Sequence, residues 1–160
     1  MKLNTIGKFI FLGVFLIVLQ TFASAGLRVM PSTVDVKFGK KPIAETLMLK
    51  NTGGESLMIK AYVMGLAKNK KGDWVFTDPV TKNYNLNKYV TISRSSFVLN
   101  ADQESKVIVN VKKPKYYSGK FQCVVFFENY PLEKTEVDTS AQMQTLVEIH
   151  GRLGVIFKEK

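Results

Sequence analysis

The amino-acid sequence predicts an all-β fold, an antiparallel sandwich of about seven strands. Apolar segments of strand length recur at spacings of about 8 to 15 residues, and residues typical of turns separate them. No segment after the first 25 residues has the periodicity of an amphipathic helix. These observations favour two packed sheets over a fold that contains helices.

The segment from Lys120 to Glu128, KFQCVVFFE, organises the predicted sandwich. Successive side chains of a strand point to opposite faces, so both faces of this strand are largely apolar. One face carries Phe121, Cys123, Val125 and Phe127, and the other carries Val124 and Phe126. A strand of this kind is expected in the middle of a sheet, with each of its faces covered.

The first 25 residues have the three parts of a secretory signal peptide. Lys2 and Lys8 supply a positive region, Phe9 to Leu19 is an apolar run, and Ala23 to Ala25 supply small residues for cleavage. An uncleaved membrane anchor is the alternative, but a spanning helix needs about 20 apolar residues and Gln20 interrupts this run. We therefore expect a signal peptide, which forms a helix, over residues 1–25 and one domain over residues 26–160.

The net charge indicates which classes of partner are expected, and the cysteine content excludes an internal disulfide. The net charge of +10 favours anionic partners or surfaces, but the basic residues are spread through turns and strand ends and form no stripe. Nucleic acid is therefore not expected as a partner. Cys123 is the only cysteine, so no internal disulfide can form, and we expect its thiol to pack as a small apolar side chain.

The first half of the predicted domain contains four strands. Gly26 to Gly39 is predicted to be an edge strand, because Pro31 cannot donate to a ladder and belongs at an edge or a kink. Ile43 to Asn51 and Leu57 to Leu66 follow as strands, and Lys68 to Asp73 is the tip of a hairpin that leads into Trp74. The lysines of this tip are interpreted as a solvated hairpin rather than as a binding patch.

The second half begins with an irregular connection over Thr77 to Lys88. The strands that follow are Tyr89 to Ser93, Phe97 to Leu99, Ser105 to Val111 and the central segment, and a polar loop extends from Asn129 to Ser140. The last element, Gln142 to Phe157, is a long strand with one apolar face, interrupted or bent near Gly151 and Gly154.

The sequence shows no catalytic constellation. His150 is the only histidine, which excludes any site that needs two imidazole ligands. The glycine-rich motifs that cradle phosphates are missing, and the acidic residues are dispersed rather than paired. We expect a protein that is not an enzyme and has no metal, no cofactor and no small-molecule substrate.

Three stretches together resemble the PapD-like immunoglobulin-like domains of pilus-assembly chaperones. Pro31 to Val34, followed by Leu47 to Gly53, is similar to the opening strands of such domains. Ile92 to Val111 is similar to their step from an apolar strand through a turn into an alternating strand, and Pro114 to Pro131 is similar to the strand that follows. The resemblance covers Val29 to Phe157 and implies an immunoglobulin-like (PapD-like) β-sandwich in the periplasm or cell envelope, secreted across the inner membrane.

The resemblance also implies a binding mode. In the family, the last strand of the first domain offers alternating apolar side chains to an incomplete fibre subunit and adds the strand that the subunit lacks. The matching partner-binding residues here are Met143, Val147 and Ile149. The family also holds the subunit's terminal carboxylate with two basic residues, and these positions fall at Ser32, which is not basic, and near Arg152.

Three functional hypotheses follow. The first is a non-enzymatic binding module, chaperone-like or an adaptor, that recognises an exported or surface subunit of the fimbrial type by edge-strand pairing. The second is a structural immunoglobulin-like component of an envelope or surface assembly, and the third is weak association with anionic envelope polymers through the basic charge and aromatics such as Trp74, Tyr116 and Tyr117. The alternating residues of the last strand either complete the core or project as an edge.

Overall fold

The structure, a computed structural model, describes residues 26–39, 41–81, 84–114, 120–132 and 151–160. The predicted signal peptide, residues 1–25, lies outside the described residues, and so do residues 133–150. The described residues contain twelve strands and one short 3₁₀ turn.

The strands follow one another in short steps. The first six are β1 (Leu27–Met30), β2 (Thr33–Val36), β3 (Ile43–Asn51), β4 (Leu57–Lys68), β5 (Trp74–Thr77) and β6 (Val80–Thr81). The last six are β7 (Tyr84–Asn85), β8 (Val90–Ile92), β9 (Ser96–Leu99), β10 (Glu104–Val111), β11 (Gln122–Pro131) and β12 (Gly151–Glu159), with the 3₁₀ turn Leu86–Lys88 between β7 and β8.

Two sheets form the sandwich. The first sheet has the order β1-β3-β10-β8, and the second has the order β2-β12-β11-β4-β5, with β9 also paired to β4. Strands β6 and β7 form a separate small ribbon. Every described pair is antiparallel except β2 and β12, which are parallel. The predicted all-β antiparallel sandwich is confirmed.

The chain changes sheets at Pro31. Strand β1 pairs with β3 in the first sheet, whereas β2 pairs with β12 in the second, and the Met30–Pro31 peptide bond between them is cis. Proline has no backbone N–H to donate, so neither ladder could continue through this position. The prediction of an edge strand with a kink at Pro31 is therefore confirmed, and the one predicted strand becomes two.

The core lies between the sheets and is built from the alternating apolar positions of each strand. Because side chains alternate along a strand, every second residue of β2, β3, β4, β10 and β11 points inward. The core residues that are 0% exposed are Val36, Leu47, Leu49, Ile59, Leu99, Val107, Val109, Val111, Cys123, Val125, Phe127 and Phe157. Residues from all parts of the described chain thus meet in one cluster.

The connection between β5 and β8 is more regular than the sequence predicts. The predicted irregular segment Thr77 to Lys88 contains β6, β7 and the 3₁₀ turn. The Asn85 side chain caps the turn by accepting from the N–H of Asn87 at 3.0 Å, and Leu86 is buried. Local hydrogen bonds and one apolar anchor therefore order a segment that has no strand-length apolar pattern.

Strand β11 is central, as predicted, with β12 on one side and β4 on the other. The side chains of its inner face pack in the core. Its outer face is also covered, and the sequence did not predict which residues cover it. Val124 and Phe126 are only 2% and 4% exposed, although they are not part of the core cluster. In the described part of the chain, aromatic side chains of neighbouring strands supply this cover: the Phe126 ring lies 4.9 Å from Phe76 and 5.7 Å from Tyr62.

Cys123 lies on the inner face of β11 and is fully buried. Burial disfavours the charged thiolate and raises the pKa of this thiol to about 12. The thiol is therefore protonated at neutral pH and packs as a small apolar side chain, as predicted.

Asn51, at the end of β3, is fully buried and ties the corner of the sandwich together. Its amide nitrogen donates to the carbonyl oxygens of Leu99 and Asn100, both at 3.1 Å, and to that of Glu55 at 2.6 Å. Its carbonyl oxygen accepts from the N–H of Gly53 at 2.9 Å. One side chain thus satisfies backbone groups of two separate turns.

We expect Asn51→Ala to lower the free energy of unfolding by about 2 to 4 kcal/mol, because it leaves buried carbonyl groups without donors. Chemical denaturation monitored by circular dichroism measures this. Asn110→Ala is the matched control, since Asn110 lies exposed on β10, and it is expected to change stability by less than about 0.5 kcal/mol. Equal effects of the two substitutions would contradict the role of Asn51.

We also expect Gly154→Ala to destabilise the protein by about 1 to 3 kcal/mol. A Cβ atom at Gly154 would lie 2.8 Å from Cγ1 of Val124 and 2.9 Å from Cε1 of Phe126, both of which are buried. Gly54→Ala is the control, because a Cβ there meets no atom within 4 Å. A thermal melt of the two variants makes the comparison, and an unchanged melting temperature for Gly154→Ala would show that the outer face of β11 is loosely packed.

A candidate strand-pairing edge on the last strand

The candidate functional site is the edge of β12 that faces away from β11. Strand β12 pairs with β11 from Gly151 to Lys158, but it pairs with β2 only from Ile156 to Glu159. The first half of the strand therefore has one ladder, and the second half has two. The shortness of β2 creates this difference, because the chain leaves for the other sheet at Pro31.

Hydrogen-bond directions identify the backbone groups at the unpaired edge. The N–H of Ile156 donates to Ser32 at 3.1 Å, and that of Lys160 donates to Val36 at 3.1 Å, so even-numbered residues point toward β2. Because backbone direction alternates along a strand, Gly154 and Arg152 point their N–H and C=O groups to the same edge. Among the described residues, no strand pairs with them there.

The solvent exposure of the inward-facing side chains changes along β12. Val155 and Phe157 are 1% and 0% exposed, whereas Leu153, on the same face, is 37% exposed. The closed core thus ends between Leu153 and Val155, at the point where the ladder to β2 also ends. The strand is predicted to be interrupted or bent near Gly151 and Gly154. No interruption is seen at Gly154, since this residue pairs with Phe126 within a continuous strand. The residues before Gly151 lie outside the described residues, so an interruption there stays a prediction.

Arg152 lies on the outer face of the second sheet. Its guanidinium carbon is 4.4 Å from the centre of the Phe126 ring and its Nη1 is 3.4 Å from the Tyr62 hydroxyl, so it stacks on the aromatic cover of β11. The side chain remains exposed to solvent. It therefore lies on the β11 side of β12, whereas Ser32 adjoins β2 on the other side, and the structure does not bring these two residues together.

Met143, Val147 and Ile149 lie outside the described residues. Their odd numbering places them in the same alternation as Leu153 and Val155 if the strand continues upstream. Their role as partner-binding residues therefore stays a prediction.

The far end of β12 is held by Glu159. Its two carboxylate oxygens accept from the Lys113 ammonium at 2.8 Å and from the N–H of Phe121 at 3.0 Å. The bond to Lys113, followed by the bond to Phe121, lowers the pKa of this carboxyl group. Glu159 thus connects the end of β12 to the start of β11.

Sequence reasoning proposed Arg152 as a partner-binding residue, which stays a prediction, and did not predict the aromatic side chains that contact it. Phe76 and Tyr62 are members of alternating strands, and nothing in their local pattern shows that they meet Phe126. These contacts depend on the register between β4, β5 and β11, which cannot be predicted from the pattern of each strand alone. Among the described residues, no cluster of three His, Cys, Asp or Glu side chains could hold a metal ion.

No protein-family model matches this sequence, and a comparison with curated proteins finds no match. The fold is nevertheless shared with solved structures. A PapD-like domain of human CEP192 matches with a TM-score of 0.55 and 12% identity over 86% of each chain. The Escherichia coli chaperone DraB matches with a TM-score of 0.57 and 10% identity, over 85% of this chain and 55% of DraB.

A third match is a chain of the CsuC–CsuE chaperone–tip adhesion subunit complex from Acinetobacter baumannii, with a TM-score of 0.55 and 11% identity, over 85% of this chain and 58% of that one. The class of fold is therefore the PapD-like immunoglobulin-like sandwich, as the sequence resemblance implied. This chain spans little more than half the length of the two bacterial chains.

The described residues include no helix that is long and apolar enough to span a membrane.

Hydrogen exchange tests the unpaired edge. We expect the amide hydrogens of Arg152 and Gly154 to exchange at least tenfold faster than those of Val155 and Ile156, because only the latter two have backbone acceptors in the described ladders. Exchange measured by NMR at single residues is the readout. Equal protection of Gly154 and Ile156 would show that another segment of the chain already covers this edge.

Proposed function

We propose that this protein is a periplasmic, non-enzymatic binding module that recognises an exported or surface subunit, of the fimbrial type, by strand pairing along β12. The observation that carries the proposal is the edge at Arg152 and Gly154, with which no described strand pairs, directly upstream of the short ladder to β2. An incoming strand would continue the line of β2 and accept or donate backbone hydrogen bonds there. Main-chain pairing of this kind supplies affinity without a preformed pocket.

Side chains on the same strand would supply specificity. In the proposal, Met143, Val147 and Ile149 extend the exposed apolar face that begins at Leu153. Burying three such side chains against a partner is worth on the order of 5 to 9 kcal/mol, before the cost of association. This is enough to make the pairing depend on those residues.

Arg152 is the proposed polar contact. Its guanidinium is exposed and already oriented by Phe126 and Tyr62, so little side-chain freedom remains to be lost on binding. A guanidinium can grip a carboxylate through two parallel hydrogen bonds. Because this side chain lies over the outer face of the sheet on the β11 side, the group that it would hold is a carboxylate of the partner that extends over this face.

The comparisons support the chaperone-like part of the proposal through the fold. DraB is a chaperone, and the CsuC–CsuE structure is a complex of a chaperone with a tip adhesion subunit. The proposed location follows from the signal peptide expected at residues 1–25, which would leave the domain of residues 26–160 in the exported compartment.

The test is to isolate the tagged protein from its native cells at low and moderate salt and to identify what accompanies it by mass spectrometry. We expect an exported subunit that resists moderate salt and that the double variant Val147→Asp and Ile149→Asp loses. The matched control is Val98→Asp with Ile108→Asp, since these side chains are 40% and 43% exposed on other strands. Retention of the subunit by the first variant, with its fold intact by circular dichroism, would refute strand pairing.

A structural component of an envelope assembly is the second candidate. The likeness to CEP192 covers 86% of both chains, so the PapD-like fold also occurs outside the pilus chaperones. The two candidates differ in whether the subunit is released. A pulse-chase experiment in which the complex never turns over would favour the structural candidate, and release of the subunit into a larger assembly would favour the chaperone-like one.

A further inference from the structure

The tip of the β4–β5 hairpin projects beyond the rest of the second sheet. The ladder between β4 and β11 begins at Gly65, whereas β4 and β5 stay paired as far as Lys68 and Trp74. The last three residues of β4 therefore have β5 as their ladder partner among the described strands. The tip lies at the end of the sheet opposite the Arg152 end of β12.

Two large aromatic side chains are exposed on this projection. Trp74 is 55% exposed and Phe76 is 50% exposed. The apolar surface continues from them into a groove of about 510 Å³ that includes Leu66, Val124 and Ile156. No aspartate or glutamate of the described chain lines this groove.

The same tip carries concentrated positive charge. Lys68, Lys70 and Lys71 are exposed, and the Lys68 ammonium lies 5.2 Å from the centre of the Trp74 ring. The one carboxylate of the tip, Asp73, already accepts from the Asn69 side chain at 3.1 Å. Three exposed lysines thus lie on the same hairpin tip as an exposed indole, and the ammonium group of one of them, Lys68, is close to the ring.

The turn holds these groups in fixed positions. The carbonyl oxygen of the Asn69 side chain accepts from the backbone N–H groups of Lys71 and Asp73, both at 2.9 Å. Gly72 has a φ of +89°, a conformation that side-chain-bearing residues rarely adopt. The lysines and the tryptophan are therefore presented together by an ordered turn.

We propose that this hairpin tip binds the surface of a membrane that contains anionic phospholipid. Tryptophan favours the boundary between water and acyl chains because its ring is amphipathic, and lysine stems extend so that their ammonium groups reach the phosphates. The tip combines an exposed aromatic ring with three lysines and a single carboxylate, a charge balance that is complementary to a surface dense in phosphates. The lysines and Trp74 lie on the β4–β5 hairpin rather than on β12, although Gly154 and Ile156 of β12 line part of the adjoining groove. Binding to a membrane surface goes beyond the proposed function.

Trp74 supplies the readout, because it is the only tryptophan in the sequence. The full chain is titrated with vesicles of equal parts phosphatidylglycerol and phosphatidylcholine, and in parallel with pure phosphatidylcholine. We expect a blue shift of the Trp74 emission with the anionic vesicles alone, reversed by 0.5 M salt since screening weakens the attraction to phosphates (about 4 Å Debye length).

The variant that tests the charge is Lys68→Gln with Lys70→Gln and Lys71→Gln. Each lysine near an anionic surface is worth about 1 kcal/mol, so the lipid concentration for half-maximal shift is expected to rise about 100-fold. The matched control replaces Lys41, Lys106 and Lys112 by Gln, which removes the same charge from exposed positions elsewhere and is expected to change binding less than about threefold. Residues 1–25 are common to all variants, so differences between variants do not arise from them.

A second variant tests the aromatic contribution. Trp74→Ala, followed by co-sedimentation with the same vesicles, is expected to weaken binding about tenfold. Equal weakening by the tip and control lysine variants would overturn the proposal, as would a shift with phosphatidylcholine as large as with the anionic vesicles. A Trp74 response to an acidic peptide with an apolar centre, together with none to anionic vesicles, would overturn it in favour of a protein partner.

Discussion

The passage of the chain from one sheet to the other at Pro31 is the constraint on which the arrangement of edges depends. Pro31 has no backbone N–H, so it interrupts the ladder. The chain before it, β1, pairs with β3 at the edge of the first sheet, and the chain after it, β2, pairs only with Ile156 to Glu159 of β12 in the second sheet. Had one strand continued along β12, the backbone groups of Arg152 and Gly154 would be paired within the protein. The unpaired edge is thus a consequence of where the chain changes sheets.

The second sheet stays ordered beside this edge because β11 is buried on both faces. Its inner face packs in the common core, and its outer face is covered by Phe76, Tyr62 and Arg152 from within the same sheet. Gly154 allows this cover to be close, since any side chain there would collide with Val124 and Phe126. Burial on both faces holds β11 in place, and through its ladder with β12 it fixes the register of β12 along this edge.

The two proposed surfaces lie at opposite ends of the second sheet. The strand-pairing edge is next to Arg152, where β12 begins, and the basic aromatic tip lies beyond Gly65, near the end of β12. They use different chemistry, since one offers backbone hydrogen bonds and the other offers three lysines beside an exposed indole. A protein with both could hold a subunit while it rests on an anionic membrane. The lysines of the tip can be replaced without altering the backbone of β12, although Gly154 of that strand lines the groove beside Trp74.

Much of the fold could be read from the chain itself. Alternation predicted the bounds of β3 and the central position of β11, and Pro31 predicted an edge with a kink, because these signals are local properties of residues and their spacing. Arg152 was also proposed, as a partner-binding residue, from its position in the chain. Its aromatic surroundings were not, because contacts between strands depend on register, and register is decided by the packing of all the strands together.

Hydrophobic alternation along the chain was enough to predict an all-β sandwich with a central apolar strand, because this pattern identifies the strands and their buried faces. The tertiary structure was needed to show that β2 begins only at Thr33, so that the first half of β12 has one ladder among the described strands. It was also needed to show that Trp74 and three lysines share one projecting hairpin tip. The lengths of paired strands and the meeting of distant residues follow from three-dimensional packing, which no local pattern contains.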